Sequence, residues 1–579
     1  MKILTIHADF IEFEAKKKAF KNAEENIKEG KERVEECLVV FTAVEKRDEE
    51  NVKAIVDKYV QEIKNIAQQV STTNIVLYPY AHLSSALSNP KTAEEVMKEA
   101  QKILGEKYKV TRAPFGWYKS FDISCKGHPL SELSREFSVE ESKSIDGGKG
   151  TKEVVEKELT QEEINHLLKQ ISRSRLDTSK LKDNDHRIIG KDMDLWSFNE
   201  VAPGMVFWHD KGLIIKNILT EYWRNVHRRS GYQEISTPQI LDKKLWLLSG
   251  HWAKYKENMF ITDYEKREFA VKPMNCPGGM LVYKASSKSY RDLPLRVGEL
   301  GLVHRQELSG VLAGLFRVIQ FTQDDAHIFC TEDQLEEEVG YIIDIIKEMF
   351  ATFNLEFHHI ELSTRPEKKI GSDEVWDFTE KALENVLKKK NIDFQVNEGD
   401  GAFYGPKIDF HLKDSLDRTW QCSTIQLDMS LPERFDLTYN DKDGGEKRPV
   451  ILHRVVYGAI ERFIGILTEH LSGKFPAWLN PTQVKIVTIN DDALPFAKDI
   501  ETKLNENNFR VELDGRAESL GKKIREAQMQ KVNYILTIGD KEVEKRTLAV
   551  RDRIGQNKFD VSMDTFIAEL KEEVVSKKL

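Results

Sequence analysis

The stretch that most constrains this chain runs from Leu295 to Cys330, LRVGELGLVHRQELSGVLAGLFRVIQFTQDDAHIFC. An apolar run opens it and then places Arg305 and Glu307 two residues apart, a spacing that points both side chains to one face of an extended strand. A tip carrying Gly310 and Gly314 follows, and a second extended run brings Phe316, Arg317 and Phe321 before Gln323, Asp324, Asp325 and His327. Two antiparallel strands around such a tip would form a platform with guanidinium, carboxylate and aromatic groups facing one way. Arginines suit bidentate contact with phosphate oxygens, a carboxylate accepts from an amino-purine, and an aromatic stacks on a base. Taken alone, these residues fit a solvated hairpin with ordinary surface charges equally well.

A chain of 579 residues implies about three to four domains. Its 40% hydrophobic and 32% charged residues fit a globular protein with real cores. A net charge of −9 gives no whole-chain steering of nucleic acid, so any such contact must come from local basic patches. The cysteines (Cys37, Cys125, Cys276, Cys330, Cys422) are scattered and odd in number, which argues against a disulfide framework. The start, MKILTIHADFIEFE, reads as an alternating strand rather than a charged-then-apolar leader. No apolar run approaches the roughly 20 residues that span a bilayer. A cytoplasmic protein with no membrane partner is the expectation.

From the N-terminus to about residue 145, strand and helix signals alternate. KILTIHADFIEF, CLVVFTAVEK and TNIVLYPYAHL read as strands, while EENVKAIVDKYVQEIKNIAQQV and TAEEVMKEAQKILGEK read as amphipathic helices. His82, Tyr118, Lys119 and Glu132 fall near element ends, where a lone histidine is usually a satisfied core or surface residue. ESKSIDGGKGTKEVV, from 141 to 155, reads as a flexible linker, and no G-x-x-x-x-G-K-[ST] phosphate loop occurs. TQEEINHLLKQISRSR is a short helix with Thr160 as N-cap and Glu163 three residues on.

A core domain begins near Val201. GLIIKNILTEYWRNVHRRSG reads as a helix with apolar positions at Leu213, Ile214, Ile218, Leu219 and Trp223, closed by Gly231 and followed by a strand, YQEISTPQIL. EFAVKPMNCPGGM reads as a strand ending at Cys276, and FQVNEGDGAFYGPKIDFHLKD and TWQCSTIQLDMSLPERF add antiparallel material. RPVILHRVVYGAIERFIGILTEHL reads as a strand, a tight turn at Gly458 and a helix with a buried stripe at Ile460, Phe463, Ile464, Leu467 and Leu471. After Pro481, strands alternate with helices as in a separate parallel α/β domain.

HRQE followed by FRV resembles motif 2 of the class II aminoacyl-tRNA synthetases, and HRQELSG, FRV and FTQDDAHIFC together resemble the threonyl-tRNA synthetases. Gly231 through Pro238 matches motif 1, which implies a homodimer, and the segment around Arg462 matches motif 3. The N-terminal segment resembles the archaeal-type editing module, and the bacterial H-x-x-x-H editing signature is absent. The resemblance implies an α/β multidomain fold. A D-aminoacyl-tRNA deacylase-like editing domain would occupy 1–140, a linker and connecting helix 141–200, a class II antiparallel sheet flanked by helices 201–480, and an α/β anticodon-binding domain 481–579.

The resemblance further implies that the enzyme ligates L-threonine to tRNA(Thr) through an adenylate made from ATP and Mg2+. Arg305 would meet the carboxylate and α-phosphate, Arg317 and Arg462 the distal phosphates, and Glu307 and Phe321 the adenine. Gln421, Tyr404, Lys407 and Gln426 match positions near the adenylate and the tRNA end, with Gln323, Asp325, Tyr404 and Gln426 around threonine. Cys276, His327 and His453, far apart and expected at strand ends, fall on the positions of a zinc ion with an open coordination site. An apolar pocket separates the near-isosteres threonine and valine by only about 100-fold, whereas a zinc ion that takes the substrate hydroxyl refuses valine. Serine keeps the hydroxyl and lacks one methyl, worth about 1–3 kcal/mol, so an editing pocket of His82, Tyr118, Lys119 and Glu132 is expected to clear seryl-tRNA. Glu542 and Arg551 match positions that read the anticodon, and Arg516, Lys522, Lys523, Arg525 and Arg553 would join Arg551 on RNA backbone.

Two departures stand out: CPGG where many bacterial members have CPGH, and Ala459 where a small hydroxyl residue is common. The rivals are a non-charging paralogue and a prolyl- or seryl-type class II enzyme. The first is expected to lose motif 2 or 3 arginines or metal ligands, whereas Arg305, Arg462, Cys276, His327 and His453 are all present; the second is expected to lack the Cys276, His327 and His453 trio together with Asp325.

Overall fold

In the computed structural model the described residues are 1–137 (apart from 21, 22, 26, 29, 85 and 129), 161–171 and 181–579. The expected linker over 141–155 and the N-cap at Thr160 lie outside the described residues. The chain divides into two compact units, Met1–Glu156 and Lys157–Leu579.

Among the described residues, the first unit is a six-stranded sheet with two α-helices. In chain order it runs β1 (Lys2–Lys18), β2 (Glu32–Ala43), α1 (Val52–Gln69), β3 (Asn74–Pro79), α2 (Pro90–Gly105), β4 (Lys109–Arg112), β5 (Trp117–Cys125) and β6 (Glu132–Glu136). The sheet order is β4-β3-β2-β1-β5, with β6 paired to the other end of β1. The parallel pairs β2–β3 and β3–β4 are bridged by α1 and α2, as parallel strands require a crossover. Asn51 and Asn89 cap these helices by accepting from the backbone N–H of Ala54 and Thr92. Ile3, Leu38, Val40, Ile75 and Leu77 pack against Ile55, Tyr59, Ile63, Val96 and Met97 of the helices. The opposite sheet face carries Ile11, Phe13, Val39, Phe41, Val76 and Tyr78.

The second unit is built on an eight-stranded sheet among the described residues. Its elements include α3 (Gln161–Ile171), α4 (His186–Asp192), α5 (Asp210–Arg229), β7 (Gln233–Glu234), α6 (Cys276–Lys284), β8 (Leu295–His304), β9 (Gln320–Cys330), α7 (Leu335–Ala351), β10 (Glu356–Ser363) and α8 (Asp373–Lys389). They continue with β11 (Gln395–Asn397), β12 (Lys407–Lys413), β13 (Thr419–Asp428), β14 (Val450–Ala459) and α9 (Ile460–His470). The sheet order is β11-β10-β12-β13-β14-β9-β8-β7, antiparallel except at its two edge pairs. Alternation along the strands sorts the faces. Ala326, Ile328, Ile408, Phe410, Ile425 and Leu452 join Ile215, Ile342, Leu383 and Phe463 of the helices in one core. Gln323, Asp325, His327, Gln426 and His453 alternate with these core residues and so take the other face.

Several sequence expectations need correction. The hairpin forms, but β8 ends at His304 and β9 begins at Gln320, so Arg305, Glu307, Phe316 and Arg317 belong to the intervening loop. Cys276 opens helix α6 instead of ending a strand, and His327 and His453 lie inside β9 and β14. The motif 1 strand is broken at Pro238 into Gln233–Glu234 and Ile240–Asp242, which join different sheets. The buried face of α5 is Ile215, Leu219, Tyr222, Trp223 and Val226, with Leu213 exposed. Gly458 sits within β14 at φ +78°, and Leu471 is only partly buried as the C-cap of α9.

The C-terminal part is a five-stranded sheet of β15 (Val484–Thr488), β16 (Val511–Asp514), β17 (Tyr534–Ile538), β18 (Leu548–Asp552) and β19 (Asn557–Val561). It is mixed rather than parallel: β15 pairs parallel with β16 and β17, and the pairs β17–β18 and β18–β19 are antiparallel. Helices α10 (Leu494–Glu506), α11 (Leu520–Met529), α12 (Asp540–Lys545) and α13 (Met563–Val575) accompany it. No helix among the described residues is long and apolar enough to cross a membrane.

Two helical glycines test this packing with opposite signs. A Cβ on Gly212 in α5 would stand 1.9 Å from the Leu195 carbonyl oxygen, whereas one on Gly521 in α11 would meet nothing within 4 Å. Alanine gains about 1 kcal/mol over glycine in a helix, and overpacking costs about 1–3 kcal/mol. Gly521→Ala should therefore raise the melting temperature and Gly212→Ala lower it, as read by thermal unfolding. A stabilising Gly212→Ala would show that α5 does not seat against Leu195.

Candidate active site

The sheet register brings distant residues into one row. His327 stands directly opposite His453, and His453 opposite Gln426 on the next strand. The two imidazoles meet edge to face with centroids 4.8 Å apart. Cys276 approaches from the first turn of α6, and the candidate ligand atoms of Cys276, His327 and His453 all lie within 4.8 Å of one another. All three residues are buried. His327 Nε2 and His453 Nδ1 have no hydrogen-bond partner among the described residues, while His453 Nε2 lies 3.0 Å from Asp428 Oδ2. Orphaned, buried imidazole nitrogens beside a thiol, one ring steadied by a carboxylate, are what a zinc ligand set needs. Burial pushes the Cys276 thiol up and, together with His453, holds His327 well below the ordinary imidazole range. His327 is thus a neutral donor.

Cys276 and His453 border a cavity of about 230 Å³ whose lining also includes Arg305, Gln323, Asp325, Tyr404 and Gln426. The Tyr404 hydroxyl donates to Gln426 Oε1 at 2.8 Å. Asp325 is 4% exposed, and burial pushes its carboxyl up to about 6. Its one side-chain hydrogen bond among the described residues is a long one, 3.4 Å, from Asn275 Nδ2. The Gln323 side-chain amide oxygen, Oε1, is buried without a partner among the described residues. Arg305 donates from Nε to the Pro273 carbonyl at 3.1 Å, its guanidinium 5.0 Å from the Phe321 ring centroid.

Other expected residues lie outside that lining. Glu307 and Arg317 hold one another, with Arg317 Nε 3.0 Å from Glu307 Oε2. Phe321 is buried among Val303 and Val318. Arg462 donates from Nε to the Phe316 carbonyl at 2.9 Å. Gln421 donates to Asp409 Oδ1 at 2.7 Å, and Lys407 pairs with Asp400 and Asp409.

The sequence reading missed three supporting residues. The Asp324 carboxylate accepts from the backbone N–H groups of Val456, Tyr457 and Gly458 at 2.9–3.0 Å. Asn275 is fully buried against Gly301, where any Cβ would fall 2.1 Å from its side-chain oxygen. Asp428 orients His453. Of these, only Asp324 had a signal: beside Asp325 in a strand, it had to face the other way. A second histidine cluster, His359, Glu361 and His411, has its rings stacked at 4.2 Å and 11°. Parallel ring planes do not aim both lone pairs at one point, so this set is a poor metal cradle as it stands.

In the first unit, His82, Tyr118 and Lys119 border an aromatic cavity of about 470 Å³ with Tyr78, Tyr80 and Trp117. Lys119 Nζ donates to the carbonyls of Pro114 and Trp117 at 2.9 and 3.0 Å and lies 4.9 Å from the Tyr78 ring centroid. Glu132 does not join them. Its strand pairs it with Ile6, whereas Lys119 pairs with Ala15 of the same long strand. Nine residues of strand separate those partners by about 30 Å. Glu132 is instead exposed, 3.5 Å from the Cys125 thiol.

The C-terminal cations are mostly engaged internally. Arg516 pairs with Asp514 and Glu526, Lys522 with Glu518, buried Lys523 donates to the Thr488 carbonyl, and Arg553 donates to the carbonyls of Lys474, Phe475 and Lys531. Arg525 is exposed, and half-buried Arg551 has an Nε without a partner among the described residues. Glu542 accepts from the Gly539 N–H at 3.0 Å, capping α12.

Comparison with known proteins agrees with this division. Residues 1–137 match the archaea-specific editing domain of threonyl-tRNA synthetase, 255–471 the tRNA synthetase class II core domain (G, H, P, S and T), and 483–573 an anticodon-binding domain. The threonine–tRNA ligase of Acetivibrio thermocellus is 56% identical over 396 residues, 68% of this chain and 62% of its own length. That of Caldanaerobacter subterraneus subsp. tengcongensis is 54% identical over 398 residues, 69% and 62%. The chain thus spans less than two thirds of these curated relatives. Among solved structures, the RNA-binding domain of threonyl-tRNA synthetase from Cryptosporidium parvum is similar at 41% identity and TM-score 0.66, over 67% of this chain and 98% of that one. A structure described as a threonyl-tRNA synthetase of Aeropyrum pernix is similar at 30% identity and TM-score 0.61, over 68% and 97%.

The Lys119 environment carries a signed prediction. Burial lowers its ammonium from 10.5 to about 8. Below pH 8 the folded and unfolded chains both hold the proton and the fold bears the full cost of the buried charge. Between pH 8 and 10.5 the unfolded chain binds more protons, so stability rises with pH through that window. The melting temperature of the parent relative to Lys119→Met should therefore rise from pH 8 to 10.5, whatever the offset at pH 7. Parallel profiles would show an ordinary, solvated lysine.

Proposed function

Since the chain belongs to the threonyl-tRNA synthetase family, we propose that it activates L-threonine with ATP, transfers it to tRNA(Thr), and clears seryl-tRNA in its N-terminal unit. The observation that carries the reading is the convergence of Cys276, His327 and His453, two of their nitrogens unpartnered among the described residues, beside a cavity that Cys276, His453 and Asp325 line. These residues would hold zinc. When bound, such an ion would supply Lewis acidity to the substrate's amino and hydroxyl groups.

The protein side chains do the rest of the selection. Asp325 accepts the hydroxyl hydrogen, and valine would leave that buried carboxylate facing a methyl group. A site built to hydrogen-bond a hydroxyl rejects an analogue lacking it far more strongly than an apolar pocket does. Serine satisfies Asp325 and gives up only one methyl contact, about 1–3 kcal/mol, which motivates a second, hydrolytic cavity. Gln323, Tyr404 and Gln426 orient the amino acid.

In activation, a threonine carboxylate oxygen attacks the α-phosphorus of ATP. An acyl–O–P bond forms, and the bond to pyrophosphate breaks. Arg305 offsets charge on the carboxylate and α-phosphate, and Arg317 and Arg462 hold the leaving phosphates. Mg2+ would share that phosphate charge. Glu307 and Phe321 receive the adenine once Glu307 releases Arg317, and Gln421 lies near the nucleotide. A terminal hydroxyl of tRNA then displaces AMP, so positioning and electrostatics carry the reaction without a protein nucleophile. In the N-terminal cavity His82, Tyr118 and Lys119 would act on the misacylated end. Glu542, Arg525 and Arg551 would face the anticodon stem. Motif 1 supports a homodimer, and a cytoplasmic enzyme fits these partners.

Metal analysis of the purified protein should find about one zinc per chain, and Cys276→Ala less than about a tenth of that. Amino-acid-dependent pyrophosphate–ATP exchange should respond to threonine and serine, with valine essentially silent. A metal-free protein that still charges threonine and refuses valine would sink the zinc assignment; a different preferred amino acid would sink the threonine reading.

A double variant, His82→Ala with Lys119→Ala, should accumulate seryl-tRNA while charging threonine at the parent's rate. Clearance of seryl-tRNA as fast as in the parent would remove the N-terminal cavity from the reaction.

A further inference from the structure

A network outside the cavity reaches the two arginines assigned to the phosphates. His186, at the start of α4, is fully buried. Its backbone N–H donates to Glu469 Oε1 at 2.9 Å, and its ring Nδ1 lies 2.6 Å from the same oxygen. Its ring Nε2 accepts the backbone N–H of Leu315 at 2.9 Å. Those partners define the tautomer: the proton sits on Nδ1, facing the carboxylate, and Nε2 presents its lone pair to Leu315. Both ring nitrogens are therefore occupied, and the cluster with Asp185 and Glu469 has no imidazole lone pair left for a metal. Glu469 belongs to α9, the helix that carries Arg462, and its other oxygen pairs with Arg418 at 2.7 Å.

The next residue is where the network meets the phosphate contacts. Phe316 lies against the His186 ring with centroids 4.2 Å apart and against Trp420 at 4.5 Å. Its carbonyl takes the Nε–H of Arg462, and the residue after it is Arg317. The tight loop closes through the Ala313 N–H on the Arg317 carbonyl at 3.2 Å. Gly314 turns at φ +53°, and any Cβ there would fall 2.2 Å from His186 Nε2. The ring and the loop are thus shaped to each other.

We propose that His186, held by Glu469, is a positioning residue for the nucleotide: it fixes the Leu315–Phe316 step so that Arg317 and Arg462 present their guanidinium groups to the same phosphates. The proposal rests on the reading that these arginines hold the distal phosphates of ATP. It touches neither threonine nor the metal ligands. Its loss should appear in the handling of ATP, with little change in the handling of threonine.

Three substitutions separate the two bonds. His186→Ala removes both. His186→Gln reaches far enough to accept from Leu315, and His186→Asn reaches only Glu469. In threonine-dependent pyrophosphate–ATP exchange, His186→Ala should raise KM for ATP by about tenfold, the scale expected from leaving one buried N–H unpaired. KM for threonine should stay within about twofold. His186→Gln should recover most of the loss and His186→Asn little. An ATP KM within about twofold of the parent in His186→Ala overturns the proposal. So does equal loss in all three variants that tracks the drop in melting temperature, the mark of packing alone. Should the parent show no threonine-dependent exchange, the functional reading fails first. Calorimetric titration with ATP then decides the inference, and equal affinity in parent and His186→Ala overturns it.

Discussion

One buried carboxylate sets the geometry that the active-site face depends on. Asp324 takes three successive backbone N–H groups, from Val456 to Gly458, of the neighbouring strand. Those residues lie where the pairing of β9 with β14 slips, Gln323 facing Ala459 but Asp325 facing Val455. Without Asp324, those N–H groups would be buried and unpaired, each a cost of about 1–3 kcal/mol. With it, the irregularity becomes an ordered junction. On one side His453 stays in register with His327, and on the other β14 feeds directly into α9 and Arg462. The pocket and the proposed phosphate contact of Arg462 are thus tied to one interaction between two strands.

Much of this was legible in local pattern. The alternation in LRVGELGLVH and FTQDDAHIF gave two strands and predicted which side chains share a face, and the helix stripe of Ile460, Phe463, Ile464 and Leu467 is buried as its spacing implies. The errors fall where the outcome depends on partners far away in sequence. Arg305 and Glu307 were read into a strand because nothing local marks where pairing stops. Cys276 follows a strand closely enough to resemble its end, yet Pro277 is pre-set for a helix's first turn and α6 begins there. Glu132 failed because a strand of 17 residues has room for two partners, and only the pairing says which end each one takes.

On the proposed function, the two cavities would divide the recognition problem along chemical lines. The smaller, polar one is built on central strands, each held on both sides, where side chains are fixed by packing. The larger is walled by aromatic rings and a partly desolvated lysine at the open face of a different sheet. A hydroxyl is read well by the first kind of wall, and size by exclusion from a site elsewhere. Fixed polar groups discriminate by leaving themselves unpaired, whereas an apolar wall scarcely penalises a smaller guest.

The pairing of Arg317 with Glu307 would make nucleotide entry an exchange. The guanidinium and carboxylate that would receive phosphate and adenine already neutralise each other, the arginine half open to water and the glutamate mostly covered. Each contact made to the incoming molecule replaces one the protein was making to itself, so the gain is a difference between two ionic interactions of similar kind. Dissolved ions weaken both sides of that difference. The pair thus acts as its own competitor, and its grip on a charged guest would be less sensitive to the surrounding electrolyte than that of a bare charge.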